Sequence, residues 1–192
     1  MRKGLKVLLN ENRVLDKGFV APLCFNGGGR LLQDLQDHFF KANTNMKLLN
    51  ISSATLVIKC PLFVQLNLSQ YGFDIITTPS DDVEAYTPDL SMVSGETVED
   101  RERVVDYIKK TTEALVINKK GMEMDGIDKF TAQLLMPITV YNQIIVHGSL
   151  ADWLVYLNQN KLPKELEAYR CQIQEVLKIE WKNVDSLLKM TQ

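Results

Sequence analysis

Between Gln65 and Tyr71 the chain sets Gln65, Asn67, Ser69, Gln70 and Tyr71 in a run framed by apolar residues, without a single cation. Such side chains offer hydrogen-bond donors and acceptors, and a tyrosine ring can stack on a flat ligand. They do not neutralise a phosphate, which is held best by charge-assisted bonds. The other residues able to do chemistry are scattered. His38 and His147 are the two histidines, and neither has a Cys or Glu at metal-ligand spacing, so no metal site is expected. Cys24, Cys60 and Cys171 are odd in number and form no CxxC pair, which reads as free thiols in a reducing compartment. No serine lies in a nucleophile elbow, and Asp81 and Asp82 read as a solvated turn, so no catalytic residue is assigned. The triple glycine of "NGGGR" (Asn26 to Arg30) lacks the Lys-Ser/Thr that a phosphate loop requires and reads as a flexible loop.

Several elements must position these groups. "LKVLL" (Leu5 to Leu9) reads as a first strand. "RLLQDLQDHFFKAN" (Arg30 to Asn43) spaces Leu31, Leu32, Leu35 and Phe39 as one apolar helix face. Ala54 to Ile58 reads as strand, and Pro61, with no N–H for a ladder, marks its end or an edge. The polar run then reads as a partly exposed helix start, and Phe63 as a buried anchor at the joint. Thr97 to Gly121 predicts a long helix, with Thr97 as N-cap, Glu99 and Asp100 in the first turn, Val104, Ile108 and Leu115 near one face, and Gly121 as the stop.

Asp125 to Leu162 carries two helical patterns, with Pro137 a start or kink in the first and His147 on an apolar helix face. A further helix begins after Pro163, and Leu166, Ile173, Val176, Leu177 and Trp181 supply its buried stripe. The order predicts an α+β protein with a mostly helical C-terminal half.

The chain has 192 residues, 45% hydrophobic and 24% charged, with a formal net charge of −2. That is ample for a folded core, and one domain spanning 1–192 is expected. Lysines and arginines are dispersed, so no nucleic-acid partner is expected. The N-terminal apolar run is too short for a signal peptide, and none approaches the roughly 20 residues of a membrane helix, so a soluble cytoplasmic protein without a membrane partner is expected.

"IKCPLFVQ" (Ile58 to Gln65) resembles the lead-in to the nucleotide site of the flavin-dependent thymidylate synthases, the thymidylate synthase complementing proteins. There an "IKxPxFV" phrase runs into Gln, then Arg-His-Arg, then Ser-x-Arg-Tyr. "AYTPDL" (Ala85 to Leu90) is similar to the family's aromatic-x-Pro-Glu phrase. Ala132 to Leu157 is similar to its "ARxxLPxxxYTxFxxxxNxRSLxxFL" helix pair, with Ala132, Leu135, Pro137, Tyr141, Leu150 and Leu157 in step. On that frame Asn67 stands at the family's Gln, and Gln70, Tyr71 and Gly72 stand at Arg-His-Arg. Ser80 keeps the serine, while Asp82 and Val83 replace Arg-Tyr. Ser149 replaces Asn, Ala151 replaces Arg, Asn160 falls at another Arg, and Arg170 lies near the terminal arginine.

The resemblance implies the family's α+β fold with a mixed or antiparallel sheet, and candidate ligand-binding residues Asn67, Gln70, Tyr71, Ser80, Ser149 and Arg170. Its site motifs are degenerate. The expectation is a divergent member that lacks methylation of deoxyuridine monophosphate (dUMP) and serves as a ligand-binding or non-catalytic oligomer subunit. The alternative is an FAD-dependent methyl or hydroxymethyl transferase acting on a pyrimidine deoxynucleotide through a rebuilt site. FAD is the implied cofactor if the family site persists, and a nucleotide the implied ligand. The implied assembly is a homo-oligomer, a tetramer, or a hetero-oligomer with an intact homologue.

Overall fold

Alternation builds the centre of the sheet. In the computed structural model, which describes residues 12–27, 29–30, 33–36, 38, 46–78 and 83–191, β1 is Arg13–Val14, β2 Gly18–Asn26, β3 Ser53–Pro61, β4 Asp74–Thr78 and β5 Tyr141–Ser149. Ala54, Leu56, Ile58 and Cys60 of β3 are fully buried in alternation with Thr55, Val57 and Lys59, the period of a strand with one face in a core. β5 answers with Ile144 and Val146, paired to Ile58 and Leu56. The strand order is β1-β2-β3-β5-β4, and every pairing is antiparallel.

Helices cover the buried face. α1 is Leu62–Leu68, α2 Val98–Met124, α3 Lys129–Gln133, α4 Leu150–Leu157, α5 Lys164–Lys178 and α6 Val184–Thr191. α4 buries Leu150, Ala151, Trp153, Leu154, Tyr156 and Leu157. α5 lies against β2 and brings Tyr169, Ile173, Val176 and Leu177, and Trp181 and Leu187 close the core behind it. At about 25 cal/mol per Å² of apolar surface removed from water, these side chains are the main stabilising term of the fold.

The strand over Ala54–Ile58, its end at Pro61 and the Thr97 cap hold: the Thr97 side chain accepts from the Asp100 backbone N–H at 3.1 Å. Other expectations are corrected. α2 runs through Gly121 to Met124, and the chain breaks instead at Gly126 with φ +85°. Thr112 is the buried side chain of α2, while Val104 is exposed.

The first helical pattern after Asp125 yields the short α3 and then β5, a strand in mid-sheet, so His147 sits on a strand. The stripe after Pro163 divides into α5 and α6, with Trp181 between them. The polar run closes α1 instead of opening it, with Ser69 as C-cap. Phe63 is half-buried and tilts on Tyr86 at 6.0 Å between ring centroids.

The Leu5–Leu9 stretch lies outside the described residues. Of Arg30–Asn43, residues 30, 33–36 and 38 are helical, Leu35 is exposed, and Gln36 is buried, donating to Ser52 Oγ at 2.8 Å. Among the described residues, no helix is long and apolar enough to cross a membrane.

Candidate functional site

Where β3 ends, Pro61 and α1 carry the polar run across the end of the sheet. Val64 and Leu68 bury the inner face of α1, leaving Gln65, Leu66 and Asn67 toward its rim. Asn67 Oδ1 is shielded from solvent and meets no donor among the described residues. The chain turns at once, with Gln70 N–H donating to the Asn67 carbonyl at 3.2 Å and Tyr71 N–H to that of Leu68 at 3.1 Å. Gln70 points into solvent.

Tyr71 turns inward. Its ring meets Tyr156 edge-on, with centroids 5.3 Å apart at 82°, and Phe73 follows against Trp153 at 4.2 Å. The preferred edge-to-face geometry makes this a packed aromatic cluster, with Tyr71 spent on it. Burial pushes the Tyr156 phenol up, so it stays protonated, and its hydroxyl has no hydrogen-bond partner among the described residues.

Gly72 passes close over α4. A β-carbon there would stand 3.2 Å from Asp152 Oδ1. That carboxylate belongs to a capping box. Ser149 Oγ accepts from the Asp152 N–H at 3.2 Å, and Asp152 Oδ2 accepts from the Ser149 N–H at 2.9 Å. The box satisfies two backbone donors that a helix start leaves open. The Ser149 hydroxyl donates to Asp152 Oδ2 at 2.6 Å, with Asn50 Oδ1 3.1 Å away.

Arg170 stands on α5. Its Nε donates to Glu167 Oε2 at 2.8 Å, its Nη2 to Glu167 Oε1, and its Nη1 to the Leu157 carbonyl at 2.7 Å. The hydrogen bonds from Arg170 hold the Glu167 carboxyl below the usual range and raise the guanidinium. This is a two-pronged ion pair, the geometry an arginine would otherwise offer to a phosphate.

No family model matches the chain, and no curated protein matches it. Solved structures do. The UMP/dUMP methylase PolB from Streptomyces cacaoi, bound with 5-Br dUMP, aligns at a TM-score of 0.79 and 12% identity, over 92% of this chain and 96% of that one. The same methylase bound with 5-Br UMP aligns at 0.79 and 13%, over 93% and 96%. The chain shares the fold of this UMP/dUMP methylase.

On this fold, the expected site residues come together in part. Tyr71 packs on Tyr156, and Ser149 and Gly72 both adjoin Asp152, while Arg170 is engaged with Glu167 and the Leu157 carbonyl. Gln70 stays in solvent, Asn160 is exposed and Ala151 is buried. Ser80 and Asp82 lie outside the described residues. Three cavities, lined about Arg30 and Asn183, about Arg13 and Lys59, and about Ala85 and Val116, share no residue with the set.

The residues that decide its chemistry are Asp152, Tyr156 and Glu167, none of them singled out in the sequence. Ser149-x-x-Asp152 is a cap spacing and Glu167-x-x-Arg170 a helix ion-pair spacing, so two of the three carried a local signal.

Proposed function

We propose that this chain is a divergent thymidylate-synthase-like protein that does not methylate dUMP and serves as a non-catalytic, ligand-binding subunit of an oligomer. The observation that carries the reading is the state of Arg170. It is the one cation among the expected site residues, and its three donor nitrogens are directed at Glu167 and the Leu157 carbonyl. A flavin diphosphate or a nucleotide phosphate would have to displace Glu167, at the cost of charge-assisted bonds worth roughly 1.5–3 kcal/mol each.

The rest of the set supports the same conclusion. Gln70, Tyr71 and Gly72 bring no charge, and the nearest ionised group to Gly72 is the Asp152 carboxylate, which repels an anion. These residues do not fit the phosphates of FAD. What they keep is neutral: Asn67 Oδ1, the Tyr156 hydroxyl and the Trp153 Nε1 donor, all buried without a partner among the described residues.

The fold likeness to a UMP/dUMP methylase favours a nucleotide-derived ligand, and the site chemistry favours an uncharged one, a base or nucleoside. Assembly is part of the proposal. α2 is 27 residues long, and it leaves Val98, Val104, Tyr107 and Met124 in solvent, exposed apolar side chains that a second subunit would cover.

An absorbance spectrum of the purified protein, before and after incubation with FAD and gel filtration, tests the reading. The expected protein is colourless in both. A retained flavin band in either would favour the rebuilt enzyme instead.

A further inference from the structure

The molecule has a cationic trench unrelated to the residues above. One cavity of about 280 Å³ lies between the β1–β2 hairpin and Lys59, and a second of about 420 Å³ lies between residues 83–87 and α2. They share Lys17 and Glu84 and so adjoin one another. The first end carries Arg13, Lys17 and Lys59, and the second has an apolar wall that includes Val83, Ala85, Val116 and Ile117.

Of the two acids of the first cavity, one is paired with a cation and the other is held by a neutral hydroxyl. Glu84 pairs with Lys59, and Asp16 accepts from the Tyr141 hydroxyl at 2.5 Å. Arg13, Lys17 and, in the second cavity, Lys109 form no ion pair among the described residues. Glu113 also lines the second cavity, so Arg13, Lys17, Lys59 and Lys109 stand against Asp16, Glu84 and Glu113 and leave the trench a net charge of about +1, although the chain as a whole carries −2.

The hairpin that presents these cations is anchored. Tyr141 holds Asp16 at its tip, and Tyr169, buried, donates to the Lys59 carbonyl at 2.9 Å beneath it. Gly18 admits no side chain, since a β-carbon would stand 1.9 Å from the Tyr169 hydroxyl. Leu15 takes φ 58° in the loop between the strands, a left-handed conformation that costs a non-glycine residue free energy and is kept only where the surroundings impose it. Cations on an anchored hairpin lose little freedom when an anion arrives.

We propose that this trench binds an oxyanion, phosphate or carboxylate, carried on a small apolar body, with Arg13 and Lys17 on the anion and the Val83–Val116 wall on the body. The site shares no residue with the candidate ligand-binding set proposed above, so its failure and the failure of that set are read separately.

Phenyl phosphate, benzoate and phenol, each titrated into the full chain and followed by heteronuclear NMR shifts, test it. One of the two anions saturates, with shifts at Lys17, Ala85 and Val116, and phenol does not. Arg13→Ala and Lys17→Ala, both exposed and expected to fold, each weaken that binding about tenfold, the worth of one charge-assisted contact, while Lys182→Ala at the far cavity leaves it unchanged. Absence of saturation by either anion, equal binding of phenol, or binding indifferent to both Arg13→Ala and Lys17→Ala overturns the proposal.

Discussion

Glu167 grips Arg170 one turn along α5, carboxylate to guanidinium through both oxygens, while the Leu157 carbonyl takes the remaining arm. Because the ordinary glutamate pKa is lowered in the folded state, the pair contributes stability that is present above the unfolded pKa and is lost as pH falls through the folded one. Glu167 is partly exposed, so the contribution is about 1 kcal/mol or less. Glu167→Gln should remove it at neutral pH and flatten the acid limb of the urea midpoint below the usual glutamate range. An unchanged pH profile in the variant would show that the pair is not formed in solution.

Ser149 works as a helix cap in this fold. Ser149→Ala should cost about 1 kcal/mol in urea unfolding, and Ser149→Thr should recover most of it. A loss well below that value in the alanine variant would leave the hydroxyl free for a ligand.

The aromatic turn makes a further prediction. Tyr71 and Phe73 pack on Tyr156 and Trp153, so Phe73→Ala should cost about 3 kcal/mol and Tyr71→Ala, half-exposed, about half of that. Replacing Gln70, Tyr71 and Gly72 together by Arg, His and Arg should lower the thermal midpoint through Asp152 and Tyr156, and should confer no flavin affinity while Glu167 holds Arg170. A stable triple variant that binds flavin would mean that the turn, and not Arg170, closes the site.

Phe63 tests the joint between β3 and α1. A fully buried phenylalanine costs about 3–5 kcal/mol on truncation, but Phe63 is half-buried against Tyr86. Phe63→Ala should therefore cost about 2 kcal/mol, by chemical denaturation.

The sequence showed some of this and hid the rest for physical reasons. β3 was legible because Ala54, Leu56, Ile58 and Cys60 alternate with less buried residues, and α2 announced its start through the Thr97 cap. β5 was not legible. Its Ile144, Ile145 and Val146 run follows Pro137 and satisfies helical and extended spacing equally well, and only pairing with β3 and β4 settles it. Gly121 looked like a stop, but an exposed glycine within a long helix costs about 1 kcal/mol, which the remaining turns absorb. At the candidate site the missing charge at 70–72 was plain. The engagement of Arg170 and Ser149 with neighbours three residues away was not, because a spacing shows that two groups can meet and not that they do.

The most direct test of the central claim is an equilibrium titration of FAD, followed by quenching of its fluorescence, with wild-type protein and with Glu167→Ala in parallel. With Glu167 already bridging Arg170, no saturable quenching by the wild type is expected at micromolar protein. Saturable quenching by the wild type, lost in Arg170→Ala, would contradict the claim.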